Sequence, residues 1–241
     1  MSRAAIVKEK VELAVSDGTR MAAYVARPEQ AGPHPGLLLF QEAFGVNRHI
    51  RSVTERFAAE GYVVIAPELF HRTAPPGFAA SYTDFPAAKP HLHAVTTETA
   101  EADIRSAHEW LHSNAHVRPN EISSVGFCLG GRISFLANSL ANSVVPLRAA
   151  VSFYGGGIAP GLLDRASKLQ APSLLIWGGL DKHITPEHRK AVTEALSAQR
   201  KVYVNVEFSR ADHGFFCDER ASYEPRSARQ AWALTLEFLR S

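Results

Sequence analysis

The sequence predicts an α/β fold in which a mostly parallel sheet is flanked by helices. Short apolar runs alternate with amphipathic stretches along the 241-residue chain, which is typical of doubly wound sheets. The run GLLLFQE (36–42) is apolar until it ends in polar residues, as expected for a strand covered on both faces. No repeat, low-complexity tract or linker interrupts the alternation. We therefore expect a single domain over 1–241.

Local patterns predict the individual elements in order. The opening runs AIVKEKVELAV and RMAAYVARP form an expected antiparallel pair, because Asp17-Gly18 between them is a turn signal. The stretch HIRSVTERFAAEG has helical spacing and a stop signal at Gly61. The remaining predicted strands lie in YVVIAPELF and at 121–127, 148–155, 173–179 and 201–208, and the remaining predicted helices lie at about 96–113, 130–141, 186–199 and within 225–240.

One segment departs from this rhythm. Residues 71–93 are rich in Pro, Ala and aromatic side chains and show little periodicity. A long unpatterned stretch inside a compact domain is often functional, so we interpret about 71–95 as a loop or lid over a site. Its two histidines in HLH (91–93) lack a third ligand at suitable spacing, and we expect no metal.

Composition excludes several classes of partner. The net charge is +2 and no Lys/Arg run is present, so a nucleic-acid partner is not expected. No apolar run reaches membrane-spanning length, so no membrane partner is expected. The two cysteines, Cys128 and Cys217, do not make a disulfide framework, which favours a reduced, cytoplasmic setting. The chain is expected to be a monomer or a small homo-oligomer.

Three reactive residues follow separate predicted strands. Cys128 follows 121–127, Asp181 follows 173–179, and His213 lies shortly after 201–208. In an open parallel sheet, reactive groups collect beyond the carboxyl ends of the strands. The chain order nucleophile, acid, histidine is that of the α/β-hydrolases. The sequence thus predicts an α/β-hydrolase fold with a Cys-His-Asp triad.

The residues around Cys128 fit a strand-to-helix turn. The pattern Gly126-Phe127-Cys128-Leu129-Gly130 matches the Gly-x-Ser-x-Gly elbow with cysteine in place of serine. Glycines on both sides avoid collisions of side chains with the neighbouring backbone. The N–H of Leu129 at the helix start could bind a developing oxyanion, and the same helix end favours a thiolate.

Each of the three residues also has a simpler interpretation. Cys128 could be a small buried hydrophobic residue. Asp181 could belong to an ordinary turn, and His213 could be a surface histidine among the eleven in the chain. The functional interpretation is favoured because all three occur in order at separate strand ends.

The chain resembles the dienelactone hydrolases from about residue 10 to its C-terminus. The resemblance rests on QEAFGVN (41–47), GYVVIAPELFHR (61–72), GFCLGGR (126–132), GGLDKHITP (178–186) and ADHGFF (211–216). It implies an eight-stranded, mostly parallel sheet flanked by helices, and a Cys-His-Asp triad that uses neither metal nor cofactor. It further implies that Glu42 hydrogen-bonds the resting thiol until substrate displaces it, and that the N–H of Ala43 is the second oxyanion donor. The alternative for Glu42 is a structural carboxylate that caps the next helix.

Two positions depart from the family pattern. The family members that act on anionic lactones hold the carboxylate with arginines, one of them four residues after the histidine, where this chain has Cys217. The predicted lid also lacks the second arginine, since Lys89 is the only Lys or Arg between Arg72 and Arg105. A neutral or apolar substrate is therefore expected. The candidate pocket residues are Phe78, Tyr82, Phe85, Tyr154, Trp177 and Cys217, of which Tyr154 and Trp177 could equally belong to the core.

These observations predict a hydrolase of carboxylic esters or lactones that acts through an acyl-enzyme on Cys128. One alternative is a promiscuous thioesterase or phosphotriesterase that uses the same triad. An alternative of another class is a redox-sensing or binding protein in which Cys128 is oxidised rather than acylated.

Overall fold

The structure is a computed structural model that describes residues 4–141 and 144–241. Eight strands form a mixed sheet in the order β1-β2-β4-β3-β5-β6-β7-β8, and β1–β2 and β2–β4 are antiparallel. The pairs β3–β4, β5–β6, β6–β7 and β7–β8 are parallel. The predicted eight-stranded, mostly parallel α/β fold is thus confirmed. The strands are β1 Ile6–Ala14, β2 Arg20–Pro28, β3 His34–Phe40, β4 Val63–Pro67, β5 Val117–Phe127, β6 Ala150–Phe153, β7 Ser173–Gly178 and β8 Tyr203–Phe208.

Six α-helices flank these strands within the described residues. They are α1 Arg48–Ala59, α2 Phe85–Ala94, α3 Thr97–Ser113, α4 Leu129–Asn138, α5 Pro186–Ala198 and α6 Pro225–Arg240, and a short 3-10 helix spans Leu163–Lys168. None of the helices in 4–141 and 144–241 is long and apolar enough to cross a membrane. Five α-helices overlap predicted ones, and the exception is α2.

The chain divides into two compact units, Met1–Ser123 and Ser124–Ser241. The first unit contains β1–β4, α1–α3 and the first part of β5, and the second contains the remainder. The strand β4 in the first unit and the strands β6 and β7 in the second are buried along their whole length, whereas β8, the last strand in the sheet order, has no fully buried residue. The interpretation of 1–241 as a single domain stays a prediction.

The prediction of a continuous loop over about 71–95 is wrong in its second half, because α2 occupies Phe85–Ala94. Asp84 caps this helix by accepting a hydrogen bond from the backbone N–H of Ala87 at 3.2 Å. Pro86 lies in the first turn, where a missing N–H costs no helical hydrogen bond. The high proline content concealed a helix that begins at a favourable cap. We call residues 71–95 the lid segment.

Candidate active site

Cys128 occupies a strained turn between β5 and α4. Its backbone has φ 54° and ψ −113°, a conformation that residues other than glycine rarely adopt. The N–H of Cys128 donates to Phe153 O at 3.0 Å, and its carbonyl accepts from the N–H of Gly131 at 3.0 Å. Backbone strain of this kind persists only where the surroundings fix it, and it is concentrated at functional sites. The following helix begins at Leu129, so the first N–H groups of α4 have no acceptor within the helix.

Glycines make this turn possible. A Cβ on Gly126 would overlap the carbonyl group of Gly130, and a Cβ on Gly131 would lie 2.6 Å from Phe153 O. The sequence reasoning assigned the requirement to Gly126 and Gly130 but missed Gly131. The signal was present in the doubled glycine of GFCLGG, since close packing of a helix start on the next strand needs a residue without a side chain.

Asp181 and His213 are joined by a short polar contact in the second unit. His213 Nδ1 lies 2.7 Å from Asp181 Oδ2, and the two side chains are 12% and 1% exposed. Asp181 Oδ1 accepts hydrogen bonds from the N–H groups of His183 at 2.8 Å and Ile184 at 3.0 Å. Burial raises the pKa of Asp181, but the bonds from His213 and from these N–H groups hold the pKa below its ordinary value. The carboxylate is thus fixed in its ionised form.

The loops that carry Asp181 and His213 are joined by backbone hydrogen bonds. Gly179 N donates to Phe208 O at 2.9 Å, and Leu180 N donates to Ala211 O at 2.9 Å. A Cβ on Gly178 would lie 2.6 Å from Ala211 O, and a Cβ on Gly179 would lie 2.7 Å from Ser209 Cα. The two glycines therefore allow the loops after β7 and β8 to lie against each other.

The charge state of His213 depends on its two neighbours. Burial lowers the pKa of His213, but the Cys128 sulfur and the Asp181 carboxylate, both hydrogen-bonded to the ring, raise it from 6.5 to about 10. The imidazole is consequently protonated at neutral pH. Since Nδ1 faces Asp181, the other ring nitrogen, Nε2, is available to Cys128. The structure therefore brings the three predicted triad residues together.

His213 is also enclosed by two rings. Its centroid lies 5.1 Å from that of Tyr154 and 5.5 Å from that of His183. Tyr154 directly follows β6 and has φ 37°, a second non-glycine residue at positive φ near the triad. These rings keep the imidazole in place by packing from the side.

Glu42 and Ala43 lie in the first unit, directly after β3. Both are buried. The Tyr82 hydroxyl donates to Glu42 Oε2 at 2.7 Å, and Gln41 Oε1 accepts from Leu69 N at 3.2 Å. Helix α1 is capped by the side chain of Asn47, so Glu42 is not its cap. The roles of Glu42 and Ala43 in catalysis stay predictions.

The rest of the QEAFGVN motif contacts the lid segment. The Phe44 ring lies 4.7 Å from Tyr82 and 6.1 Å from Phe85. Gly45 pairs with Ala79 in an isolated bridge, and a Cβ on Gly45 would overlap the carbonyl oxygen of Phe78. The motif thus positions the lid segment as well as supplying a carboxylate.

The other predicted pocket residues have separate environments. Phe78 packs against the His91 ring at 4.5 Å, and the Thr73 hydroxyl lies 2.8 Å from His91 Nδ1. His91 and His93 lie on α2 rather than on a strand, and positions i and i+2 of a helix do not face each other. Trp177 and Cys217 are fully buried in the second unit, and Trp177 Nε1 donates to Asn205 at 2.7 Å. Trp177 is therefore a core residue.

A buried charge cluster at the start of the lid segment was not predicted. Arg72 donates to both carboxylate oxygens of Asp103, at 2.9 and 2.8 Å, and His71 Nε2 lies 3.1 Å from Asp103 Oδ1. Asp103 is fully buried on α3. Only the adjacent His and Arg after β4 hinted at this cluster, because nothing local in the sequence names their partner.

The eight-stranded sheet begins with an antiparallel pair and continues with parallel strands. This arrangement is that of an α/β-hydrolase. Residues 21–241 match the model of the dienelactone hydrolase family. The chain belongs to the dienelactone hydrolase family, and it is a hydrolase of that class, as predicted.

Individual relatives agree with this assignment. The chain is 37% identical over 222 residues to a Synechocystis protein named "Putative carboxymethylenebutenolidase", and the match covers 88% of each. It is 36% identical over 234 residues to the Escherichia coli K12 protein of the same name, over 93% of this chain and 84% of that protein. The crystal structure of a "Putative Dienelactone Hydrolase" from Klebsiella pneumoniae superposes with a TM-score of 0.88 at 32% identity and covers 98% of this chain and 99% of that one.

Proposed function

We propose that the chain hydrolyses a small-molecule carboxylic ester or lactone through an acyl-enzyme on Cys128. The observation that carries the proposal is the position of Cys128 at positive φ between β5 and α4, hydrogen-bonded to a histidine that itself lies 2.7 Å from a buried carboxylate. Nucleophilic acyl transfer needs a nucleophile held on a turn, an imidazole base and an acid that orients the imidazole.

Acylation begins from a thiolate paired with the His213 imidazolium. The Cys128 sulfur attacks the carbonyl carbon, a C–S bond forms, and the carbonyl oxygen becomes an oxyanion. The N–H of Leu129 at the start of α4 donates to that oxyanion, and Ala43 stays the second donor predicted from the family. The intermediate collapses as its C–O bond breaks, and the leaving alkoxide takes the proton from His213 Nε2. In a lactone the alkoxide remains attached to the acyl group.

Deacylation reverses the roles. Neutral His213 accepts a proton from water, and the resulting hydroxide attacks the thioester carbonyl. The C–S bond breaks, the carboxylic acid departs, and the thiolate is again paired with an imidazolium. Asp181 remains ionised throughout, because its bonds from His183 and Ile184 stabilise the carboxylate.

The side chains favour a neutral or apolar substrate. The lid segment carries the aromatic residues Phe78, Tyr82 and Phe85. Of its two Lys/Arg side chains, Arg72 is already engaged by the fully buried Asp103, and Lys89 is exposed on α2. Cys217 takes the place of the arginine that follows the histidine in the relevant family members, and a thiol cannot bind a carboxylate bidentately. The relatives named carboxymethylenebutenolidase point to a lactone, and we propose a lactone or ester without a carboxylate beside the reacting carbonyl.

A burst experiment tests the nucleophile. Rapid mixing with p-nitrophenyl acetate is expected to release p-nitrophenol in a burst whose size equals the enzyme concentration, followed by slower turnover. Cys128→Ala should abolish the burst and Cys217→Ala should keep it. Full activity in Cys128→Ala would refute the proposal, and so would wild-type turnover without acylation of Cys128 in a mass spectrum of the quenched enzyme.

A substrate panel tests the chemical class. We expect kcat/KM for a neutral δ- or γ-lactone to exceed that for the same lactone bearing a carboxylate. A preference for the carboxylated lactone would overturn the proposed class while leaving the nucleophile intact. Thioester or phosphotriester turnover above that of the lactones, lost in Cys128→Ala, would establish the alternative activity on the same triad.

A further inference from the structure

Arg189, on α5, forms hydrogen bonds with the loop that carries Asp181. Its side chain is buried, with the residue only 7% exposed. One terminal nitrogen, Nη1, donates to Ile184 O at 2.7 Å and to Gly178 O at 3.3 Å. These two carbonyl groups lie at opposite ends of the loop 178–184, so a single guanidinium ties the loop together around Asp181.

The same guanidinium is held on its other side by β8. Arg189 Nε lies 3.2 Å from Glu207 Oε2, and Glu207 is 46% exposed. Glu207 also reaches the loop, since its Oε1 would lie 3.0 Å from a Cβ on Gly179. Arg189 therefore links the loop after β7 to the strand whose continuation carries His213.

The contacts of Arg189 complement those made inside the loop. Asp181 Oδ1 accepts from the N–H groups of His183 and Ile184, and Gly178 O accepts from Asp181 N at 3.4 Å. These internal bonds fix the carboxylate relative to the loop. The loop itself is fixed relative to α5 by Arg189, whose burial is favourable only because its donors are satisfied.

We infer that Arg189 is a positioning residue of this hydrolase: by bridging Gly178 O, Ile184 O and Glu207 it keeps Asp181 Oδ2 directed at His213 Nδ1. The inference rests on the proposed roles of Asp181 and His213. It assigns to α5 a part in catalysis, although Arg189 touches neither substrate nor the reacting atoms.

A cleft beside Arg189 gives the inference a specific test. It has a volume of about 220 Å³, so only a compact solute fits.

 The cleft is lined by Arg189, Lys190, Thr193, Asn205 and Glu207 among others. Truncation of Arg189 to alanine would extend this cleft to the two carbonyl groups. Free guanidinium, which has the shape and charge of the removed group, could then enter from solvent and restore the bridge.

The test compares Arg189→Ala and Arg189→Lys with Lys190→Ala. Lys190 is the next residue on α5 and forms a surface pair with Glu194, so it serves as the matched control. We expect kcat of Arg189→Ala to fall by about 10- to 100-fold with KM nearly unchanged, because a small displacement of a catalytic group costs rate rather than binding. Arg189→Lys should recover part of the rate, since an ammonium can reach one carbonyl but not the whole set.

Two further readouts separate positioning from stability. The proton resonance of His213 Nδ1 should shift upfield in Arg189→Ala, which would report a weaker bond to Asp181. Guanidinium chloride, at concentrations well below those that unfold the protein, should raise kcat of Arg189→Ala and leave Lys190→Ala unaffected. If Arg189→Ala does not fold, the same resonance and kcat are measured in Arg189→Lys.

A folded Arg189 variant with wild-type kcat and an unshifted Nδ1 resonance would overturn the inference, even if its melting temperature were lower. The variant Asp181→Asn distinguishes failure of the positioning role of Arg189 from failure of the proposed triad. Loss of activity in Asp181→Asn together with wild-type rates in the Arg189 variants would refute only the positioning role. Full activity in Asp181→Asn would instead refute the triad on which that role rests.

Discussion

Two regions of the molecule, one in each unit, are fixed by different kinds of contact. In the second unit, the loops with Asp181 and His213 are joined by backbone hydrogen bonds such as Leu180 N to Ala211 O at 2.9 Å. In the first unit, the lid segment has a backbone bridge between Gly45 and Ala79 and is also held by side-chain contacts, among them Tyr82 on Glu42 at 2.7 Å and Phe78 on His91 at 4.5 Å.

These two kinds of contact determine which properties of the enzyme can change independently. Backbone contacts between close loops depend on glycines and on the sheet itself, so substitutions there are expected to reduce the rate or the stability. Side-chain contacts in the lid segment can be exchanged one at a time with the strands left intact. We therefore expect substitutions in the lid segment to act mainly on substrate binding, as is common for loops on a rigid scaffold.

The largest effect is expected where the acid is neutralised. Asp181→Asn keeps the shape of the side chain but removes the negative charge that orients His213 and stabilises its protonated form. We expect kcat to fall by about 10⁴-fold, the magnitude found when a triad acid is replaced by its amide. Steady-state kinetics on an alkyl ester measure the loss. Asp164→Asn makes the same change of charge at an exposed position and should leave kcat unaltered. A loss below about tenfold in Asp181→Asn would show that His213 does not depend on this carboxylate.

The turn at Cys128 is expected to be nearly as sensitive, in stability as well as rate. In Gly126→Ala the added methyl would overlap the carbonyl group of Gly130, and the free energy of unfolding should fall by about 4 kcal/mol, since backbone must move to relieve the overlap. In Gly156→Ala the methyl would lie 4.0 Å from Ile184 Cγ1, so the change should be small. Urea unfolding of both variants makes the comparison. Equal stabilities would mean that the elbow adapts at little cost.

The sequence predicts the place of Gly126 in the turn, and the proposed positions of the triad residues at the strand ends, more fully than it predicts the contacts around them. Gly126 and Cys128 belong to one local pattern whose spacing reflects the geometry of the turn, and the strand ends follow from short apolar runs. Arg189 lies within a predicted helix, but its hydrogen-bond acceptors are backbone carbonyl groups. Every residue has such a group, so the sequence does not indicate which ones Arg189 contacts. The cluster of Arg72 and Asp103 joins positions far apart in the chain, and helix α2 was concealed by its prolines.

The charge on His213 gives a prediction about pH. The pKa of His213 is raised to about 10 by the neighbouring Cys128 and Asp181, so the ring should stay protonated as the pH rises through 6.5 and lose its proton only near 10. Cys128→Ser removes the sulfur that raises this pKa, and the midpoint should move to lower pH. Nitrogen-15 NMR of the imidazole follows the titration. A wild-type midpoint near 6.5 would exclude the thiolate–imidazolium pair.

The same titration should be visible in the kinetics. Above pH 10 His213 can no longer protonate a leaving alkoxide, so kcat/KM for an alkyl ester should fall as the pH rises through that value. A p-nitrophenyl ester, whose leaving group needs no proton, should lose less. Identical alkaline profiles for the two esters would argue against His213 as the acid.

The smallest effect is expected in the lid segment. Tyr82→Phe removes the hydroxyl that donates to Glu42 Oε2 but retains the ring that packs on Phe44. A hydrogen bond contributes about 0.5–1.5 kcal/mol net, so KM should rise by about 3- to 10-fold while kcat changes less. Tyr223→Phe, at an exposed ring, is the control. If kcat fell in Tyr82→Phe and KM did not, the hydroxyl would serve the chemical step, and the division between a backbone-fixed catalytic region and a side-chain-fixed binding segment would be wrong.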